Sequence, residues 1–187
     1  MEREFENIII GIDPGTNVMG YALLGVNGKK PQLIVMGVLQ LSRMEDHYMR
    51  LRHIYERVSG VIDEYLPDEM AIEAPFYGKN VQSMLKLGRA QGAAMIAGLD
   101  RGCRIFEYAP RKAKMTICGN GAASKEQVCL MVQRTLGIKI ANKYLDATDA
   151  LALAMCHFYQ LKSPLAAVQA SSSWEKFIAS NPERIKK

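Results

Sequence analysis

Four carboxylates in this chain occupy positions from which they could act together on one substrate. Asp13 and Glu73 each end a short apolar stretch that is typical of a buried strand. Asp146 and Asp149 stand three residues apart in a helical pattern, so their side chains share one face of that helix. A carboxylate beside apolar residues is costly unless a metal, a base or hydrogen bonds satisfy it. We therefore predict that these four acids converge on one site.

The chemistry open to such a group of acids depends on a metal ion. Carboxylates that meet in one place repel each other and raise each other's pKa values. A divalent cation removes that conflict, and ligands that offer oxygen without Cys or His favour Mg²⁺ or Mn²⁺ over Zn²⁺. A pair of such ions can activate a water and stabilise a leaving oxyanion during in-line attack on a phosphodiester. The same four acids are therefore the predicted ligands of Mg²⁺, for which Mn²⁺ could substitute.

Each acid taken alone also has a purely structural interpretation. Asp146 or Asp149 could cap a helix or lie in its first turn because of the helix dipole. Glu73 could form a salt bridge, and Asp13 could belong to a plain turn with the Pro-Gly pair that follows it. The combination of all four acids favours the functional interpretation.

The composition is that of a globular domain with a preference for anionic partners. The chain has 187 residues, of which 49% are hydrophobic and 23% charged, enough for one domain with a core. Its net charge of +5 suits nucleic acid. The sequence shows no signal-peptide pattern or transmembrane run, and its four cysteines form no C-x-x-C pair. We therefore expect reduced thiols and a cytoplasmic location.

The periodicity along the chain predicts the element order βββαβαβααα. Three strands with short connections suggest an antiparallel meander, and two later strands reached through helices complete a five-stranded mixed sheet with helices on both faces. The expected strands lie near residues 8–13, 19–25, 32–39, 69–73 and 103–107, and the expected helices near 44–66, 79–99, from 110, 124–136 and 146–161.

Four separate motifs resemble those of the bacterial RuvC family of Holliday junction resolvases. The resemblance implies an α/β ribonuclease-H-like fold and a homodimer that nicks four-way DNA junctions with Mg²⁺ during recombination and repair. It also implies that the four acids are the family's catalytic acids, and that the RuvA–RuvB branch-migration complex is a partner. The motifs are Gly11-Ile12-Asp13-Pro14-Gly15-Thr16, Ala71-Ile72-Glu73, Lys86-Leu87-Gly88-Arg89-Ala90-Gln91-Gly92 and Asp146-Ala147-Thr148-Asp149-Ala150-Leu151-Ala152, within a similarity that covers residues 7–160.

The resemblance extends to residues that would bind DNA. Phe76 matches an aromatic residue that stacks on a base, and an apolar ring at an opened junction can replace a lost base stack. Phe76 or Tyr77 could instead be part of the core. Lys114 and Lys125 align with family lysines near the active site, where they could hold phosphates or be ordinary solvated lysines. The expected DNA-binding set is Phe76, Tyr77, Lys79, Lys86, Arg89, Lys114 and Lys125.

The helix expected over residues 79–99 is rich in small residues. Each helical glycine weakens helix propensity by about 1 kcal/mol relative to alanine, a cost that close packing would offset. By resemblance this is the dimer helix. We expect one nuclease domain over residues 1–162 and a C-terminal extension over residues 163–187. That extension is either mobile or docked as a short helix through Trp174, Phe177 and Ile178.

Three other functions are compatible with parts of the pattern. Residues 13–16 also resemble the phosphate loop of actin-like ATPases, although those enzymes need two lobes and a second glycine-rich loop. A junction-binding protein without catalysis would be expected to lack one of the acids. Another nuclease of the same fold, acting on RNA in hybrids, would use the same carboxylates.

His157 follows Asp149 by about 12 Å along the helix and is too far away to share its metal.

Overall fold

Five runs of mostly apolar residues form one mixed β-sheet in the computed structural model, which describes residues 4–75, 80–141 and 145–162. The strands are β1 (Asn7–Asp13), β2 (Val18–Asn27), β3 (Lys30–Gln40), β4 (Glu69–Glu73) and β5 (Arg104–Tyr108). β1 pairs with β2, and β2 with β3, in the antiparallel sense, whereas β4 is parallel to both β1 and β5. The resulting strand order is β3-β2-β1-β4-β5.

The turn between β2 and β3 is tighter than the sequence indicates. The pattern predicts a loop over residues 27–31, but β2 continues to Asn27 and β3 begins at Lys30. Gly28 has a φ of +59°, a left-handed conformation that glycine adopts without strain at a short hairpin turn. Pro31 consequently lies within β3, an edge strand, where its missing N–H is tolerated.

Local capping explains where the helices begin. The first helix starts at residue 47 rather than near 44, because the Asp46 side chain accepts a hydrogen bond from the Tyr48 N–H at 2.9 Å. The capping box predicted at Ser124 is present, with Gln127 as its second member. The described helices are α1 (His47–Tyr65), α2 (Val81–Leu99), α3 (Pro110–Cys118), α4 (Lys125–Leu136) and α5 (Leu145–Lys162).

Alternation along the strands divides the core into two halves. In β4, the side chains of Met70 and Ile72 pack in the half that contains α1 and α2, whereas Ala71 packs in the half that contains α3, α4 and α5. Because successive side chains of a strand point to opposite faces, Glu69 and Glu73 share the α5 face with Ala71. The predicted arrangement of helices on both faces is confirmed.

α5 lies close to the sheet because two glycines leave room for its backbone. A Cβ at Gly11 of β1 would overlap the carbonyl oxygen of Ala150, and a Cβ at Gly20 of β2 would overlap that of Asp146. Any larger residue at either position would push the helix away. The two glycines therefore bring the first turns of α5 onto the sheet beside the end of β1.

The predicted element order is confirmed over the described residues. None of the helices there combines the length and apolar character that a membrane crossing requires. The extension predicted over residues 163–187 lies outside the described residues, so that its docked and mobile forms both remain predictions.

Candidate active site

The fold brings the four predicted acids to one edge of the sheet. Asp13 and Glu73 are the last residues of the parallel neighbours β1 and β4, and both point toward α5. Asp146 and Asp149 lie in the first turns of that helix, which Gly20 allows to approach the sheet. Positions 133 residues apart along the chain, at Asp13 and Asp146, therefore interact electrostatically.

A cavity of about 320 Å³ lies between these elements. Three of the four acids line it, namely Asp13, Glu73 and Asp149, together with apolar side chains of α3, α4 and α5. Asp146 is about half exposed and does not line the cavity, but it shares Lys125 with Asp149. The cavity thus combines carboxylates with a partly apolar wall, which lowers the local dielectric and strengthens their interactions.

Burial and mutual repulsion make Asp13 difficult to ionise. Desolvation, with added repulsion from Glu73, Asp149 and Asp146, raises its pKa to about 8, even though the charge of Lys125 acts in the opposite direction. Without additional positive charge, this carboxyl is therefore protonated over much of the physiological range.

Glu73 responds to the same surroundings to a smaller extent. Desolvation and repulsion from Asp149 raise its pKa to about 7, while the charges of Lys125 and Lys114 lower it. Two carboxyls with pKa values raised by a shared pocket are a common sign of a functional site.

Lys125 neutralises part of the negative charge. Its Nζ lies 2.9 Å from Asp146 Oδ1 and 2.7 Å from Asp149 Oδ2. Partial burial disfavours the charged amine, but the hydrogen bonds to the two aspartates raise the pKa of Lys125 above its usual value. The ammonium group is thus held between the two acids of α5.

The other predicted DNA-binding residues fall into three groups. Lys114 of α3 lines the cavity together with Lys125. Lys86 and Arg89 are exposed on α2 and do not line it. Phe76, Tyr77 and Lys79 lie outside the described residues, so their predicted roles, like those of the other four, remain predictions.

Gln91 is a residue of the site that the sequence reasoning quoted in a motif without giving it a role. It is buried on α2, and its Nε2 donates to the Glu73 carbonyl oxygen at 3.0 Å and to Glu107 Oε1 at 2.7 Å. The Glu73 carbonyl can only accept, which identifies the amide nitrogen as the donor. An uncharged polar residue among the small residues in the second half of α2 was the available signal.

A larger cavity of about 510 Å³ lies at the opposite end of the sheet, beside the start of β4. Its lining includes Asp63 and Arg101, which form an ion pair with each other at 2.6 Å. It is farther from the four acids, and its charged groups are already paired. We therefore assign the active site to the smaller cavity.

The acids suit a hard divalent cation. Within residues 4–75, 80–141 and 145–162, no three Cys, His, Asp or Glu side chains already form a metal-binding group. The acidic side chains that line the cavity nevertheless offer carboxylate oxygens, the ligands that Mg²⁺ and Mn²⁺ prefer. The raised pKa values of Asp13 and Glu73 indicate a pocket that positive charge would stabilise. Asp13, Glu73, Asp146 and Asp149 are thus suitable ligands.

Comparisons with known proteins point to one family. The family model described as crossover junction endodeoxyribonuclease RuvC matches residues 9–157. Proteins of that name from Bacteroides fragilis and Porphyromonas gingivalis are 57% and 54% identical, over 97% of this chain and 97% and 98% of their own. The structure of Thermus thermophilus RuvC in complex with a Holliday junction substrate matches with a TM-score of 0.75 and 30% identity, over 84% of this chain and 96% of that one.

The matched residues 9–157 extend from β1 into α5 and therefore span all five strands of the sheet. These similarities confirm the predicted ribonuclease-H-like α/β fold and favour the resolvase interpretation over the ATPase alternative. The chain belongs to the RuvC family of crossover junction endodeoxyribonucleases.

Proposed function

We propose that this protein resolves four-way DNA junctions by paired, metal-dependent nicks in homologous recombination and repair. The observation that carries the proposal is the cavity in which Asp13, Glu73 and Asp149 meet beside Lys114 and Lys125, in a chain of this family. Carboxylates for a metal and lysines for phosphates are what hydrolysis of a phosphodiester requires.

Asp13, Glu73, Asp146 and Asp149 would hold Mg²⁺, with Mn²⁺ as a substitute. Such ions supply a water nucleophile near neutral pH and stabilise the charge of the leaving oxygen. Positive charge in the pocket would favour the ionised forms of Asp13 and Glu73, which burial and repulsion otherwise disfavour. Asp146 and Asp149 would have to release or share Lys125.

Lys114 and Lys125 would contribute to the same step through their charge. Both line the cavity, so a phosphate placed over the carboxylates would come within reach of their ammonium groups. Lys125 released from the two aspartates would be available to bind a phosphate oxygen of the scissile strand. Lys86 and Arg89, exposed on α2, and the residues Phe76, Tyr77 and Lys79 would extend this surface along the DNA.

Substituting one acid at a time tests the assignment. We expect Asp13→Asn and Asp149→Asn to lower the cleavage rate on the order of 10²–10³-fold, because the pocket loses a metal ligand. Junction binding should stay within a few fold, since both variants keep all the proposed DNA-binding residues. Glu45→Gln, the same charge change at an exposed position, is the matched control. A cleaving Asp13→Asn protein, free of contaminating nuclease, would contradict the assignment.

The substrate class needs a parallel experiment. A four-way junction, a flap and an RNA–DNA hybrid are digested side by side with Mg²⁺. Preferential, symmetric nicking of the junction is the expected result. Equal or faster cleavage of the hybrid would instead indicate a nuclease of the same fold with a different substrate.

A homodimer formed through α2 would place two such sites on the two strands of a junction. Several apolar side chains of α2 are exposed, and at Gly88 and Gly92 an added Cβ would meet nothing within 4 Å. Together these positions follow the three- and four-residue spacing of a helix–helix seam. The exposed members are Val81, Leu85, Ile96 and Leu99.

Alanine at the two open glycines separates dimer contacts from helix stability. Gly88→Ala with Gly92→Ala should stabilise the isolated helix by about 1 kcal/mol per site. The same methyl groups should weaken the dimer by preventing close approach, which sedimentation velocity would measure. Gly60→Ala on α1, also open, is the control. An unchanged dimer would show that α2 does not form the interface.

Because the chain belongs to the RuvC family, the RuvA–RuvB complex is the proposed protein partner. A pull-down with junction DNA tests this partner.

A further inference from the structure

A second polar cluster lies on the same face of β4 and α5, at the end away from the active site. We define this rear cluster as Glu69, Arg104, Tyr108 and His157 with Asn7, and the front cluster as the four acids with Lys125. Glu69 and His157 are both 1% exposed, and His157 Nε2 lies 3.0 Å from Glu69 Oε2. The Tyr108 hydroxyl lies 2.6 Å from His157 Nδ1.

The hydrogen bonds of the rear cluster are mutually consistent. Glu69 also accepts from Asn7 Nδ2 at 3.1 Å and from Arg104. Burial alone would raise the pKa of Glu69, but the hydrogen bonds from His157 and Asn7, with the charge of Arg104, lower it overall. With Glu69 ionised and the imidazole of His157 neutral, Nε2–H donates to Glu69 and Nδ1 accepts from the Tyr108 hydroxyl. Every polar atom of the Glu69–His157 link therefore has a partner.

The two clusters are spaced alike on the strand and on the helix. Glu69 and Glu73 are four residues apart in β4, about 13 Å at strand rise. His157 and Asp149 are eight residues apart in α5, about 12 Å at helix rise. Since Glu69 contacts His157 while Glu73 interacts with Asp149, α5 runs antiparallel to β4 in matching register. At the rear end of this β4–α5 pair Glu69 and His157 therefore attract each other, whereas at the front end Glu73 and Asp149 repel each other.

We propose that Glu69 and His157 are positioning residues, whose buried hydrogen bond fixes how α5 slides and rotates on β4 and thereby holds Asp149 opposite Glu73. The glycine contacts set only how closely the helix approaches, whereas a hydrogen bond also has a direction. A rotation of about 10° moves a side chain on the helix surface by roughly 1 Å. A displacement of that size can cost about 10²-fold in rate.

The positioning role rests on the proposed function where the rate of junction cleavage is measured, but not where Mn²⁺ binding is measured. His157→Gln keeps a donor near the position of Nε2, whereas His157→Asn keeps one only near Nδ1, toward Tyr108. In both variants Glu69 retains Asn7 and Arg104, so its charge stays compensated. The two variants differ little in polarity. A difference between them in cleavage rate or Mn²⁺ binding therefore reports on the hydrogen bond to Glu69.

We expect His157→Asn to lower the single-turnover cleavage rate at saturating junction by about 10–100-fold, with the junction Kd changed less than about twofold. It should also weaken Mn²⁺ binding by the DNA-free protein in calorimetry by a similar factor. His157→Gln should recover most of both losses. Val132→Ala truncates the same half of the core away from the pair, and should lower Tm without changing either quantity.

The outcomes separate the two proposals. If His157→Asn and His157→Gln bind Mn²⁺ equally well, or if both match the unsubstituted protein, the positioning role is wrong. If Val132→Ala loses as much as His157→Asn, the effect is general destabilisation and the role is again wrong. If the unsubstituted protein binds Mn²⁺ but cuts no junction, the proposed function fails, and the Mn²⁺ contrast between the two variants still decides the positioning role.

Discussion

The front and rear clusters each join a glutamate of β4 to a residue of α5, yet their electrostatics are opposite. At the rear, donors surround Glu69 and hold its pKa below the usual value despite burial. At the front, burial and neighbouring acids raise the pKa values of Asp13 and Glu73 to about 8 and about 7. One strand therefore has a satisfied carboxylate at its start and an unsatisfied one at its end.

The difference shows which part of the molecule is stabilised for folding and which for chemistry. A satisfied buried pair holds its elements in place, and removing one partner leaves a buried polar group of the other without its hydrogen bond. Repulsion among clustered acids destabilises the domain when no cation is bound, and such unfavourable interactions are expected at functional sites. The conflict at the front is tolerated because the sheet, the glycine contacts and the rear cluster hold the elements in position.

Truncating one glutamate at each end of β4 should produce the largest contrast. Glu69→Ala leaves the buried His157 and the part-buried Asn7 without their acceptor, and we expect a loss of roughly 2–4 kcal/mol in the free energy of unfolding, since each unsatisfied donor costs about 1–3 kcal/mol. Glu73→Ala removes a source of repulsion, and without metal its free energy of unfolding should change by less than about 1 kcal/mol. Urea unfolding at pH 7 in EDTA measures both. Equal losses would mean that the two ends are not energetically different.

The sequence predicted the front cluster better than the rear cluster for a physical reason. Asp13, Glu73 and the two aspartates of α5 stand at strand ends and a helix start, where local patterns reveal them. The bond between Glu69 and His157 joins residues 88 positions apart. Only the packing of α5 on β4 brings them together, and no local periodicity encodes that packing.

Similar reasoning applies to the fold and to Lys125. The type and order of the elements followed from hydrophobic periodicity, whereas the start of α1 and the short β2–β3 turn depended on one cap and one glycine conformation. Lys125 was predicted as a DNA ligand. Its contacts with Asp146 and Asp149 depend on how α4 packs on α5, which the sequence does not specify.

The pH dependence of stability should distinguish the front cluster from an ordinary surface. A carboxyl whose pKa rises on folding, here from 3.8 to about 8, favours the folded state below about pH 4, and this stability is lost as pH increases through about 8. Asp13→Asn does not titrate. Without metal, it should therefore add roughly 1–3 kcal/mol near pH 9, about 2–4 °C in Tm per kcal/mol, and nothing near pH 4.

Thermal unfolding in EDTA between pH 4 and pH 9 measures this gain, with Glu45→Gln as the matched control. The exposed control should show no trend of comparable size. Saturating Mg²⁺ should reduce the advantage of Asp13→Asn, because a bound cation stabilises the ionised aspartate of the unsubstituted protein. A gain of the same size at every pH would show that packing, not ionisation, is responsible.

Removing Lys125 should have a smaller effect on the same balance. Its ammonium contacts both aspartates of α5, so a divalent cation that binds them must displace or share it. Lys125→Met keeps the length of the side chain and removes the charge. We expect the DNA-free protein to bind Mn²⁺ about 3–10-fold more tightly in calorimetry, at most about 1.4 kcal/mol. Lys139→Met, exposed on the surface, should bind Mn²⁺ like the unsubstituted protein.

Lys125→Met should impair cleavage although it strengthens Mn²⁺ binding, and this opposite effect makes the test specific for Lys125. If the same ammonium binds a phosphate once the aspartates hold metal, Lys125→Met should cut junctions more slowly even at saturating Mn²⁺. Tighter metal binding with slower cleavage is the signature of a lysine that competes with the cation and then serves the substrate. Weaker Mn²⁺ binding would mean instead that Lys125 arranges Asp146 and Asp149 for the ion, because repulsion between the two aspartates would then separate them when the ammonium is removed.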